Sequence, residues 1–230
     1  LGQIKNIAIL GHQGAGKTSV LESMLFASKK ISAKGKIDSG STVSDYTKEE
    51  KDSKMSIYSS VCSIEKDNNK INFLDTPGFF DFVGEVLAPL SVASTALVVV
   101  RPRSVEVGTK RAYKFIKDLK KPCIVVVNKV DKDNVDVEKT FASLQTLFNG
   151  KCVMVNEPNA VSGGFTAVVD KIDERIDELT EKVANCDDEI MMKFLEGEEV
   201  SADEVKNGLT KAIAAGELIP VLFTSADKNV

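Results

Sequence analysis

The chain has 230 residues, 43% hydrophobic and 28% charged, with 15 Gly and 6 Pro. That balance excludes a disordered or low-complexity chain and predicts one or two domains of about 100 to 200 residues each. Its 30 basic and 34 acidic residues leave a net charge of -4, which provides no footprint for direct nucleic-acid binding. The longest apolar runs, Thr95 to Val100 and Cys123 to Val127, fall far short of the roughly 20 residues of a membrane span, so no membrane partner is expected.

The first apolar run, Ile4 to Leu10, has neither a charged leader nor an apolar signal core before it, which predicts a cytoplasmic protein. Further β-rich runs at 57–64, 71–74, 95–100, 123–127 and 218–223 alternate with helix-length segments. This alternation predicts an α/β fold, a mostly parallel sheet with helices on both faces. Between 57 and 73 the turn residues Lys66 to Lys70 predict a hairpin and hence one antiparallel strand. Ser28 to Ser56 is rich in Lys, Ser, Gly, Asp and Thr and reads as a long loop of the functional or disordered kind. Later, Phe165 to Asp170 reads as a short strand. Ile172, Ile176, Leu179, Val183, Cys186, Ile190 and Phe194 then recur every three or four residues, as on one helix face. Ser201 to Glu204 reads as a capping box ahead of Val205, Leu209 and Ile213. From Lys171 to Glu217 there are 14 acidic and 6 basic residues, a local charge of -8 that suggests a second unit. Cys62, Cys123, Cys152 and Cys186 are scattered without a CxxC pair, which predicts reduced thiols and no zinc site.

Ligands of such sheets bind beyond the carboxyl ends of the strands. There the segment Gly11-His-Gln-Gly-Ala-Gly-Lys-Thr18 fits the GxxxxGK[ST] pattern, between a strand and the helical run Val20, Leu21, Met24 and Leu25. Its glycines let several backbone N–H groups face a phosphate at the positive end of a helix. The candidate phosphate-holding residues are Gly11, His12, Gln13, Gly14, Ala15, Gly16, Lys17, Thr18 and Ser19. Lys17 is expected at the β- and γ-phosphates, and the Thr18 hydroxyl on Mg2+. Asp75-Thr-Pro-Gly78 follows the run Ile71 to Leu74. Its carboxylate is placed to hold Mg2+, and the bare N–H of Gly78 to sense a γ-phosphate; by itself the tetrapeptide reads equally well as a turn. Asn128-Lys-Val-Asp131 follows another strand. A carboxylate there accepts two parallel hydrogen bonds from guanine N1–H and N2–H, which adenine does not offer, so Asp131 is expected to select GTP over ATP.

Together these residues resemble the translational GTPases of the elongation-factor-G group. The resemblance covers nearly all 230 residues and includes Asp75 to Glu85, Val105 to Thr109 and Pro220 to Ala226. It implies a P-loop NTPase fold with a GTP-binding domain over 1–156 and 218–230, a small α+β inserted subdomain over 157–217, and further C-terminal domains in the native protein. It also implies a GTP/GDP switch, with Mg2+ held by Thr18, Ser56 and Asp75, and guanine held by Asn128, Lys129, Asp131, Ser225 and Ala226. Water would attack the γ-phosphate with help from Lys17 and the Gly78 N–H. The implied partner is the ribosome, and the acidic 171–217 region is either a docking face for its stalk proteins or a solvated surface. Members of the group carry a histidine after Asp-Thr-Pro-Gly that positions the attacking water; here the position is Phe79, which neither donates nor accepts a hydrogen bond. His12, the chain's one histidine, matches a different family position and is expected to be structural. Gly14 replaces a family aspartate and Ser56 a threonine. Two readings follow: a slow GTPase, or a GTP-dependent ribosome-binding protein with little or no hydrolysis.

Overall fold

The structure is a computed structural model that describes residues 2–103, 105–133, 135–160 and 164–230. Among them the main sheet has seven strands: β1 (Ile4–Leu10), β2 (Ser60–Lys66), β3 (Asn69–Asp75), β4 (Thr95–Val100), β5 (Cys123–Val127), β6 (Cys152–Met154) and β9 (Ile219–Phe223), in the order β2-β3-β1-β4-β5-β9-β6. Every pairing is parallel except β2 with β3. That hairpin turns on Asp67 and Asn68, both at positive φ, the two-residue geometry that matches strand twist. The fold is thus the predicted α/β arrangement of a mostly parallel sheet with one antiparallel strand.

From Ala96 onward β4, and all of β5, are apolar because both of their faces are covered. On one face Ala96, Val98 and Val100 pack with Ile116 of α4 (Val107–Asp118) and Leu144 of α5 (Val137–Leu147), and Leu90 of α3 (Val83–Val92) joins the same core. On the other face Leu97 and Val99 meet Leu21 and Leu25 of α1 (Lys17–Ala27). A third core joins α6 (Ile176–Ala184), α7 (Asp188–Glu196) and α8 (Ala202–Ala215) through Leu179, Val183, Ile190, Val205 and Leu209. Beside it β7 (Asn156–Pro158) and β8 (Val168–Asp170) pair antiparallel. Among the described residues no helix is long and apolar enough to cross a membrane.

Four expectations need correction. The stripe from Ile172 to Phe194 is not one helix face: it divides into a 3-10 turn at 173–175, α6 and α7. The break has a local cause, since the Asp187 carboxylate accepts the N–H groups of Glu189 and Ile190 and starts a new helix; Phe194 is consequently 45% exposed. The run at 57–64 becomes a strand only from Ser60, because the Ile57 and Tyr58 N–H groups bond the Glu50 carboxylate instead of a neighbouring strand. The loop 28–56 contains α2 (Lys48–Ser53), started by a capping box between Thr47 and Glu50. Finally, the strand expected at 165–170 shortens to β8, and Phe165 is instead fully buried in the main core. The short edge strand β6 was not anticipated. The capping box at Ser201 and Glu204 is as expected.

Candidate functional site

The loops after β1, β3, β5 and β9 meet at the carboxyl edge of the sheet. After β1 the chain reaches Gly16, whose φ is 94° and where a Cβ would lie 2.4 Å from Asn128 Nδ2. Backbone conformation and contact both require glycine there. α1 begins at Lys17, so the positive end of its dipole and its first N–H groups face the cleft. The Lys17 ammonium donates to the Gly11 carbonyl over 3.3 Å. Burial lowers its pKa, and the charges of Asp75 and Asp45 pull it back up. Gln13, Gly14, Gly16, Lys17, Thr18 and Ser19 line one wall of this cleft, and Ser56, Gly78 and Lys129 also line it. Ala15 is buried in the core beneath. The His12 side chain points away, with Nε2 3.9 Å from Glu106 and Nδ1 against Gly108.

The Thr18 hydroxyl donates to Asp75 Oδ2 over 2.8 Å and lies 3.3 Å from Ser56 Oγ. Three residues separated by up to 57 positions thus converge. Asp75 is 2% exposed, and its second oxygen, Oδ1, has no hydrogen-bond partner among the described residues. Burial pushes its pKa up to about 6, against the opposing pull of Lys17 and of the Thr18 and Ser44 hydroxyls. A buried carboxylate oxygen without a donor beside two hydroxyls is a set of hard oxygen ligands, the kind that suits Mg2+. The residues present therefore fit the expected cation. Gly78 closes the cleft: a Cβ on it would lie 2.5 Å from Lys17 Nζ and 2.8 Å from the Gln13 backbone. Its N–H stands on this wall without a side chain to shield it.

At the other end of the cleft, Asn128 ties three loops together. Its Nδ2 donates to the Ala15 carbonyl over 3.1 Å, and its Oδ1 accepts from the N–H groups of Lys129 and Ala226. Lys129, at a φ of 70°, extends its ammonium to the Gly14 carbonyl over 2.8 Å. Asp131 accepts from the Ser225 hydroxyl over 2.7 Å and pairs with Lys132. Burial pushes its carboxyl up, but the Ser225 and Lys132 hydrogen bonds together hold it below the usual aspartate range. It is therefore an ionised acceptor at neutral pH, the state that a pair of N–H donors requires.

Several residues that organise the site had escaped the sequence reading. Asp45 accepts from Ser56 over 2.7 Å and from Thr42 over 3.0 Å. Glu22 of α1, 1% exposed, accepts the N–H groups of Gly35 and Val43 and thereby ties down the first part of the long loop. Glu50 does the same at its end. A buried Glu on the otherwise apolar face of α1 was the one available signal for Glu22, since such a group must be hydrogen-bonded. Lys54 and Met55 also line the cleft. Phe79, 36% exposed, lines an adjoining, mostly apolar cleft with Leu10, Pro77, Val83, Ala112 and Phe115, which shares Gly78 with the first.

Comparison with known proteins places this geometry. The family described as the elongation factor Tu GTP binding domain matches residues 2–230. The chain is 32% identical over 253 residues to an elongation factor G-like protein of Thermotoga maritima, covering 100% of this chain and 36% of that one. It is 30% identical over 254 residues to elongation factor G of Mycoplasma pneumoniae, covering 98% and 37%. A solved structure from Thermus thermophilus superimposes with a TM-score of 0.90 at 28% identity, over 98% of this chain and 38% of that one. The chain thus spans little more than a third of the length of these relatives. With the phosphate loop, the Asp75 loop and the Asn128 loop assembled at one sheet edge, it belongs to the translational GTPase family, on its elongation-factor-G-like branch.

Proposed function

We propose that this GTP-binding domain is a GTP/GDP switch that hydrolyses the γ-phosphate with water, slowly because Phe79 occupies the histidine position. The convergence of Thr18, Ser56 and Asp75 around an unpartnered carboxylate oxygen carries this reading. In it, the N–H groups of Gly11 to Ser19 hold the phosphates, and Lys17 and the Gly78 N–H stabilise the charge that develops as the γ-phosphoryl group transfers. Thr18, Ser56 and Asp75 would hold Mg2+, which when bound would neutralise phosphate charge. Asp131 and the Ser225–Ala226 loop recognise guanine, with Asn128 and Lys129 supporting them from below.

In the same reading residues 1–156 and 218–230 form the GTP-binding domain and 157–217 an inserted subdomain, a division supported by the apolar cluster of α6 to α8, which meets the main sheet through Val153 of β6. The long loop and the Asp75 loop respond to the γ-phosphate. The protein acts in the cytoplasm on the ribosome, with the charge of -8 between Lys171 and Glu217 as a docking face for stalk proteins. A second reading is a GTP-gated ribosome-binding protein with little hydrolysis, favoured by the placement of Phe79 in an apolar cleft. Single-turnover cleavage of labelled GTP by the full-length protein, with and without ribosomes, separates the two. Strong stimulation supports the GTPase; tight binding without stimulated cleavage supports the gated binder.

A further inference from the structure

Gln13 stands on the phosphate-loop wall, directly opposite Gly78: a Cβ on Gly78 would meet the Gln13 N and Cα at 2.8 Å. Its side chain is exposed into the cleft. The amide Nε2 lies 4.0 Å from Met55 Sδ, a weak contact with a weak acceptor. The side chain thus bridges the phosphate loop and the end of the long loop without being committed to either. Its polar neighbours are already engaged or offer donors only. The hydroxyls of Thr18 and Ser56 serve Asp75 and Asp45, and Lys17, Lys54 and Lys129 carry no acceptor. Ser19 lines this cleft and also a neighbouring one with Lys34 and Ala226. Phe79 lines the apolar cleft instead.

We propose that the Gln13 carboxamide orients the attacking water in this protein, the task for which Phe79 has no chemistry; the inference rests on the GTPase reading above. A carboxamide presents one acceptor and two donors, and rotation about its last bond exchanges them. The oxygen accepts a hydrogen bond from water while the N–H donates to a γ-phosphoryl oxygen, which fixes the water in line with the bond to be broken. The water oxygen bonds to the γ-phosphorus, and the bond from that phosphorus to the β-bridging oxygen breaks with its electron pair left on GDP. The water proton passes to the released phosphate, and the amide is unchanged. Since Met55 belongs to the long loop, the Gln13 amide settles only when that loop is closed, which links hydrolysis to loop order.

The test is single-turnover cleavage of labelled GTP by full-length protein with ribosomes, beside titration with a non-hydrolysable GTP analogue. Gln13→Ala removes the amide, and Gln13→Met keeps the length and the packing on Met55 but removes the hydrogen-bonding groups. Both are expected to slow cleavage by about 10- to 100-fold, in the range of losing one positioned group, a larger factor than the accompanying loss of analogue affinity. Wild-type cleavage by Gln13→Met overturns the role of the amide while leaving the GTPase reading intact. A wild-type protein that binds no GTP overturns both.

Discussion

At the carboxyl edge of the sheet, the side chains that fix the loops are buried and polar: Glu22, Asp75 and Asn128 hold backbone or hydroxyl groups from distant parts of the chain, and Asp45 and Glu50 hold groups 7 to 11 residues further along. In the unit of α6, α7 and α8 the side chains that fix the helices are apolar, and Gly208 lets α8 approach so closely that a Cβ would lie 2.4 Å from Val183. Polar clamps are directional, so a ligand with phosphate oxygens and a cation can compete for them or complete them. Apolar packing has no such partner to exchange and holds its geometry throughout. On the proposed function, the polar end is the part that responds to nucleotide and the apolar end the part that does not.

The comparison breaks first at the apolar end. Leu179→Ala, at a site 2% exposed, is expected to lower stability by about 2–5 kcal/mol in chemical denaturation while GTP affinity stays unchanged. A parallel loss of affinity would show that the two regions are not independent. At the polar end, Lys17→Ala is expected to reduce GTP turnover by about 100- to 1000-fold with little change in the denaturation midpoint; wild-type turnover would remove Lys17 from the chemistry. Asp131→Asn comes next. It converts one acceptor to a donor facing guanine N–H groups and is expected to cost about 1.5–3 kcal/mol of GDP affinity by calorimetry, and unchanged affinity would displace the base from this loop.

The smallest effect concerns the long loop alone. Burial favours the protonated form of Glu50, but the N–H groups of Ile57, Tyr58 and Thr47 and the Thr47 hydroxyl together hold its pKa below the usual glutamate value. A carboxylate with a depressed native pKa contributes stability that is complete above its unfolded value and is lost as pH falls through the native one. Amide exchange at Ile57 and Tyr58 is therefore expected to accelerate, relative to its intrinsic rate, as the pH falls below the usual glutamate range. Glu50→Gln should expose these amides at neutral pH, costing about 1–2 kcal/mol locally, with the core amides of β4 unaffected.

The stretches that were legible in the sequence share a feature: their structure depends on residues close along the chain. The phosphate loop needs glycines at set spacings and a helix after them, and the hairpin needs two residues at positive φ. The Ser201–Glu204 cap is likewise complete within four residues. Where the reading failed, a short-range polar group had overruled an apolar period. Asp187 stopped a helix that the spacing of Ile172 to Phe194 continued, and Glu50 took the N–H groups that would have begun β2 three residues sooner.

Residue order and type were enough for the fold class, for the strand ends where the candidate site lies, and for the residue types expected to face phosphate, cation and base. Each follows from local backbone geometry and from which atoms a side chain can offer. The tertiary structure alone decided which of those atoms are committed. Asn128 bonds Ala15 across 113 positions, Asp45 claims the Ser56 hydroxyl, Phe79 joins an apolar cleft, and Gln13 is left facing Gly78. Those choices depend on which side chains the folded sheet brings within hydrogen-bond range and which it buries, and neither is written in residue spacing.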